Sequence, residues 1–425
     1  MCKHIIMLFI TLLIYSFVSA QEPNLGSLTL SGTVRDSGSS KKLESVSITL
    51  VGTNIATVSN ADGFFSIKIP AGSKGANLRV EQLGYHSRLL SVDSLRAING
   101  NKVIALVSSA KMLKEVVVRG GKPEEIVAEA LRKIPLNYSP DKSLFTAFYR
   151  ETVQKGKRYI GVSEAMVDVL KSPYSRRDIY GERVRINKGR KLISQSQQDT
   201  ISVKLVGGPT LPLILDFVKN GDALFDEDYM KCYSFKMDQP ISLDDRMQYV
   251  IRFEPKIKTN YALCHGILYI DQESLSFTKA EFELDMSDKN KATAALLRKK
   301  PRGLHFKPQE VAFTVTYKLV DGTSYLNYIH AKSRFKCDWK RRLFSSGYTT
   351  DAEMVMVDRL DNPQEGISRK MAFGNNDIFD DKVSEYWDGD FWQRYNIIEP
   401  TESLEKAVGK LLKHNSQVVA FTDFR

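Results

Sequence analysis

Hydrophobic and polar residues alternate with period two through most of this chain. Ser45–Val51 (SVSITLV) puts Val46, Ile48 and Leu50 on one side and Ser45, Ser47 and Thr49 on the other. That is the pattern of a strand with one buried face. Leu28–Val34, Ile55–Ser59, Phe64–Ile69, Leu78–Gln82 and Arg88–Val92 are further short runs separated by turn residues. Asp62-Gly63 between two such runs marks a hairpin, because glycine takes positive φ without steric cost. Short strands at this spacing predict an N-terminal β-sandwich.

The period then changes. Pro123 opens a helix where its missing N–H costs nothing, Glu124 and Glu125 suit the helix dipole, and Ile126, Val127, Ala130, Leu131 and Ile134 share one face until Pro135. Strands follow at Leu144–Glu151, Tyr159–Leu170, Gln248–Glu254, Ala262–Ile270, Leu275–Met286, Val311–Leu319, Ser324–Phe335 and Leu343–Val357. Asp271–Ser274 is a short connector, so Gly266–Asp285 forms a hairpin. The fold class is mainly β, α+β: the sandwich is followed by a large curved antiparallel sheet with packing helices. The domains are 27–118, a linker at 119–122, the sheet at 123–360, and a segment at 361–425 that docks on it. That last segment ends in an amphipathic helix bearing Leu404, Ala407, Val408, Leu411 and Leu412.

Residues 1–20 carry Lys3, an apolar run from Ile5 to Val18 and a small-residue end at Val18-Ser19-Ala20. This reads as a secretory signal peptide, with the mature chain starting at Gln21. The run is shorter than the roughly 18 apolar residues of a membrane span. The expected location is the periplasm or the outer membrane. Cys232, Cys264 and Cys337 remain in the mature chain, so at least one thiol is free and their spacings match no zinc site. The net charge of +11 admits an anionic membrane surface as partner. It is gathered in patches, notably Lys171–Lys191, that read as solvated faces. Export and the lack of any such motif argue against nucleic acid.

The strings SGTVRD, LESVSITLVGTNIATVSNADGFFSIKIPAG and LRVEQLGY resemble the carboxypeptidase-regulatory-like domain, a transthyretin-like sandwich, over Ser27 to about Leu106. The resemblance makes Gly32, Gly52-Thr53, Asp62-Gly63-Phe64 and Gly84-Tyr85 turn and core positions rather than catalytic ones. A carboxypeptidase needs His and Glu around zinc, and this segment holds a single histidine, His86. The resemblance also implies a Gram-negative envelope protein. Val116-Val117-Val118 lies in a string similar to the linker after this domain in TonB-dependent receptors, where it could engage an energy-coupling partner. Only 304 residues follow Gly121, too few for the receptor's barrel of about 22 strands. The block GILYIDQESLSFTKAEF (Gly266–Phe282) resembles the hairpin of lipoprotein-carrier-like half-barrels, which implies an apolar hollow for an acyl chain.

No sequence motif for metalloprotease, serine hydrolase, nucleotide or dinucleotide chemistry occurs in the chain. No catalytic, cofactor-binding or metal residue is therefore assigned, and no cofactor is expected. The expected function is a non-catalytic binding or assembly module of the envelope, with an envelope protein as partner. The alternatives are a carrier of a lipid or other apolar ligand and a glycan-acting enzyme. Two segments are candidate contacts. Gly207–Val218 turns into an apolar helix bearing Leu211, Leu213 and Phe217, fit to plug or lid a sheet. Asp377–Pro400 interleaves carboxylates with Trp387, Phe391, Trp392 and Tyr395, fit to cover a sheet edge.

Overall fold

The structure is a computed structural model and describes residues 26–109, 121–194, 196, 203–224, 229–339, 345–374, 377–387 and 395–422, the last ten without side chains. Seven short strands come first: β1 (Ser27–Asp36), β2 (Ser47–Leu50), β3 (Ala56–Val58), β4 (Phe64–Pro70), β5 (Asn77–Glu81), β6 (Arg88–Ser91) and β7 (Lys102–Leu106). They form two sheets of order β4-β1-β7 and β3-β2-β5-β6. Alternate residues turn inward, so Val34, Val46, Ile48, Phe65, Ile67, Leu78 and Val80 share one closed core. Gly63 has φ +70°, and a Cβ there would meet the Val34 carbonyl oxygen at 2.6 Å. Only glycine fits that turn. Past β6 the chain forms a short helix, α1 (Val92–Ala97), capped by Ser91.

The second unit opens with α2 (Pro123–Arg132) and α3 (Ile134–Asn137), then β8 (Ser143–Lys155), β9 (Arg158–Lys171) and β10 (Arg183–Ile193). A two-residue strand β11 (Lys204–Leu205) and the helix α4 (Leu211–Leu215) precede β12 (Tyr233–Leu243), β13 (Arg246–Pro255), β14 (Cys264–Asp271) and β15 (Phe277–Leu284). Then come α5 (Lys289–Leu296), β16 (Leu297–Lys299), β17 (Leu304–Val320), β18 (Thr323–Trp339), β19 (Ser346–Asp361), α6 (Phe379–Lys382) and α7 (Glu402–Thr422). Ten strands make one sheet of order β10-β9-β8-β19-β18-β17-β15-β14-β13-β12. Its neighbours are all antiparallel. β8 and β19, the first and last strands of the unit, pair as the third and fourth strands from the β10 edge, so the sheet is continuous only when the whole segment is in place.

Two strands of this ten-stranded sheet were not apparent from the sequence. β12 contains Pro240 and lies at one edge, where a missing ladder N–H is tolerated. β10 occupies the stretch read above as a solvated basic patch, and that reading is corrected here. Its Val184, Ile186 and Leu192 are buried. Its cations are partnered from β9: Arg185 pairs with Asp168, and Arg190 meets Glu164 at 2.6 Å. Lys171 is buried between Asp216 at 2.8 Å and Glu182 at 3.0 Å. Cys232, Cys264 and Cys337 are all free thiols.

Both faces of the sheet are covered. One carries Phe145, Ala147, Tyr149, Val167, Met354 and Met356, packed with α2, α3 and α4. The intervening residues Phe148, Met166, Val355 and Val357 face the other way, towards Val58 of the sandwich and Ile397 and Ile398. Residues 395–401 thus form a strap between sandwich and sheet. Lys68 N–H donates to Asn396 Oδ1 at 2.6 Å, Thr57 Oγ1 to the Ile397 carbonyl at 3.1 Å, and Asn60 Nδ2 to the Glu399 carbonyl at 3.1 Å. From the sheet side, Arg150 donates to the Ile398 carbonyl at 2.6 Å.

The sandwich has a second anchorage at the β12–β13 turn. Asp244 and Asp245 both hold positive φ there. Asp244 accepts from Arg79 at 2.7 Å and Ser87 at 2.5 Å, and Asp245 lies 2.9 Å from His86. Between the two anchorages a cleft of about 550 Å³ remains.

Arg150 is 4% exposed and also pairs with Glu164 at 2.7 Å. Removing one member of such a pair leaves the other charge buried, which costs about 3–5 kcal/mol. Arg150→Met should lower the unfolding free energy by about that amount in urea titrations. Limited proteolysis of the variant should also show early cleavage within the strap.

Candidate functional site

The helix-covered face contains a hollow of about 540 Å³. Its cause is one row of residues running across the strands. Phe282, Phe313, Ala331, Ala352, Glu151 and Ser163 are successive cross-strand partners from β15 to β9. Two alanines side by side leave space where large side chains fill the neighbouring rows. Val203, Leu205, Leu211, Ile214 and Leu296 wall the space from outside the sheet, and Ile378 and Phe379 close one end. The outer wall includes the small ribbon of β11 and β16.

The wall is pegged at both ends of α4. At the first, Gly208 donates its N–H to Glu151 Oε1 at 2.6 Å, and Tyr149 OH donates to the same oxygen at 2.5 Å. Gly208 has φ +90°, and a Cβ there would press on the Phe373 ring at 2.9 Å. At the second, Asp216 is fully buried. It accepts from Lys171 Nζ at 2.8 Å, Tyr174 OH at 2.9 Å and Tyr317 OH at 2.6 Å. A buried carboxylate with three donors is satisfied and holds its segment in one place.

Burial chiefly pushes the Glu151 carboxyl up to about 7. Asp380 pushes in the same direction, while Tyr149, Gly208 and Arg298 act against it. Tyr149 itself is driven well upward by burial and by Glu151. The rim of the hollow carries Arg298, Lys299 and Lys204, all exposed, with Lys204 directly opposite Lys299 in the ribbon.

The residues singled out in the sequence do not form one site. Leu211 is half-buried and lines the hollow. Leu213 and Phe217 are buried beneath it, with the Phe217 ring edge-on to Phe277 at 5.2 Å and Tyr317 at 5.9 Å. Trp387 is 57% exposed, and its backbone bridges to Gly189 on edge strand β10. Residues Phe379, Val383 and Tyr386 join the core cluster below that edge, so 377–387 lies along it. Tyr395 lies on the opposite face, packed with Ile397 and Ile398. Phe391, Trp392 and Val116–Val118 lie outside the described residues.

The sequence reading missed Ala331, Ala352 and Glu151, and it took Gly208 only as part of a turn. An alanine inside each of two predicted strands was the available signal, but only the pairing register puts them together. Among the described residues no group of three or more His, Cys, Asp or Glu side chains could hold a metal ion. Among the same residues no helix is long and apolar enough to cross a membrane.

Residues 30–118 match the CarboxypepD_reg-like domain family, which covers the sandwich. No curated protein matches the chain. Three solved structures resemble parts of it. A DUF1329 family protein from Desulfovibrio piger ATCC 29098 shares 10% identity over 58% of this chain and 96% of its own, with TM-score 0.25. A LolA superfamily protein from Nitrosomonas europaea shares 13% identity over 60% of this chain and 99% of its own, with TM-score 0.19. A protein of unknown function from Bacteroides fragilis NCTC 9343, described as a candidate membrane-associated protein, shares 8% identity over 78% of this chain and 98% of its own, with TM-score 0.16.

Glu151 gives a pH test. The folded chain holds its proton up to about 7, whereas the unfolded chain releases it near the ordinary value of 4.5. The folded state therefore binds more protons in that window, and stability falls as pH rises through it. Glu151→Gln should flatten the decline, read as urea midpoints at about pH 5 and about pH 7.5. An unchanged slope would mean that Glu151 titrates normally.

Proposed function

We propose that this protein is an exported, non-catalytic carrier or binding protein of the cell envelope that shelters an apolar chain, such as the acyl chain of a lipid, in the hollow between the sheet and the α4 wall. The single observation that carries the reading is the alanine-floored hollow of about 540 Å³, within the usual size range of small-molecule sites. The leader-like residues 1–20 support export, and the sandwich family match supports an envelope setting. Glu151 Oε1 accepts from Tyr149 of the sheet and from Gly208 of the wall, which ties the wall over the hollow.

Magnitudes suggest what kind of ligand is held. Burying about ten methylenes yields about 8 kcal/mol, and association costs at least about 4 kcal/mol. A bare chain then binds at only about millimolar strength. The cations Arg298, Lys299 and Lys204 at the rim favour an amphiphile with an anionic head, which supplies the remaining affinity.

A fluorescent polyene fatty acid should bind the full chain saturably, below about 100 μM. Ala352→Trp fills the floor and should weaken that binding at least about tenfold, with the unfolding midpoint nearly unchanged. Equal binding by wild type and Ala352→Trp would exclude the hollow as the site.

A further inference from the structure

The opposite face of the sheet holds the cleft left between the two anchorages of the sandwich. Its chemistry is the reverse of the apolar hollow. One cross-strand row runs Glu281, Thr314, His330, Glu353, Arg150 and Glu164 from β15 to β9. Its charges are largely partnered. Lys279 meets Glu281 at 2.6 Å, His330 Nε2 meets Asp351 at 3.1 Å, and Arg150 meets Glu164 at 2.7 Å. At one end wall, burial pushes the Glu81 carboxyl up to about 7 and the Lys318 ammonium down to about 8. The cleft is polar without a dominant charge.

Four residues lining this cleft each carry a buried side-chain atom with no hydrogen-bond partner among the described residues: Ser47 Oγ and Gln82 Oε1 from the sandwich, and Asn327 Oδ1 and Glu353 Oε2 from the sheet. Ser47 and Asn327 are more than nine-tenths buried. Three of the four are acceptors only. Glu353 Oε2 lies 3.8 Å from the Arg150 guanidinium, an ion pair beyond hydrogen-bond reach. Leaving such atoms unpaired costs about 1–3 kcal/mol each, and their gathering on two walls of one cleft calls for a common donor-rich occupant. Asn327 also sits where the register slips between Thr316 and Tyr317, so β18 bulges there. Bulges re-aim side chains and are frequent beside binding sites. Thr314 and Thr316 add hydroxyls that can donate or accept on the same floor.

We propose that this cleft is a binding site for a short neutral carbohydrate, whose many hydroxyls donate to the acceptors of Gln82, Asn327 and Glu353 and accept from the threonines between them. A small cation would satisfy the carboxylate but has no acceptors for the threonine hydroxyls. A small anion would face three acceptors. The site is separate from the apolar hollow and does not depend on it.

Calorimetric titration of the full chain tests this with maltotriose, cellotriose, mannotriose and chitotriose, and with spermidine and citrate as charged controls. At least one trisaccharide should bind, and Asn327→Leu and Gln82→Leu should each weaken it at least about tenfold. The melting temperature of ligand-free Gln82→Leu should not fall, because an unpaired polar atom has been removed, whereas Asn327→Leu also loses the Nδ2 bond to Thr316. If Asn327→Leu fails to fold, Gln82→Leu on the other wall decides alone. No heat from any trisaccharide up to about 10 mM, binding unaffected by both substitutions, or binding of a charged control alone would each overturn the proposal.

Discussion

A ten-stranded antiparallel sheet has two faces, and neither is polar enough in this sequence to be left in water. Phe145, Tyr149, Val167 and Met354 on one side, and Phe148, Met166, Val355 and Val357 on the other, all need cover. The rest of the molecule follows from how that cover is supplied. Helices α2, α3 and α4 come from within the sheet unit. The sandwich and strap 395–401 come from the two ends of the chain. Each cover fits its face imperfectly and leaves a cavity: an apolar one over Ala331 and Ala352, and a polar one over the row that includes His330 and Glu353.

Arg150 is where the two halves of the cover meet. Its backbone belongs to β8, an interior strand of the sheet. Its guanidinium reaches Glu164 on β9 and the Ile398 carbonyl of the strap. Glu164 in turn takes Arg190 from the edge strand β10. Desolvation opposes the Arg150 and Glu164 charges, yet the two arginines hold the Glu164 carboxyl below its ordinary value. Such a network adds little net stability compared with apolar residues of the same shape. Its contribution is registry, because the strap can lie in one place only when its carbonyl meets the guanidinium.

The clean period-two runs were legible in the sequence because their buried faces are purely aliphatic or aromatic. Ser45–Val51 is an example, with Val46, Ile48 and Leu50 inward, and strand β2 lies where it was expected. β10 was not legible, because a register shift between Ile186 and Lys188 breaks its alternation. Its partners Asp168 and Glu164 also belong to another strand. The hollow was legible only as an expectation carried by resemblance. An alanine in a strand means nothing alone. It makes a cavity when the pairing register sets Ala331 beside Ala352, and register is not written in either strand separately. Leu211, Leu213 and Phe217 were read together as one apolar segment, and periodicity could not say that Leu213 and Phe217 pack inward while Leu211 lines the space. The buried acceptors of Gln82 and Asn327 left no sequence signal at all, since polar residues in strands and turns are usually solvated.

Hydrogen–deuterium exchange of the full chain, with and without a saturating long-chain fatty acid, tests the central claim most directly. An occupied hollow predicts slower exchange in 203–215 and along β19 beside Ala352, with the sandwich unchanged. Exchange unchanged in both segments, or slowed only along the strap and the sandwich, would contradict the assignment of this cavity as the apolar ligand site.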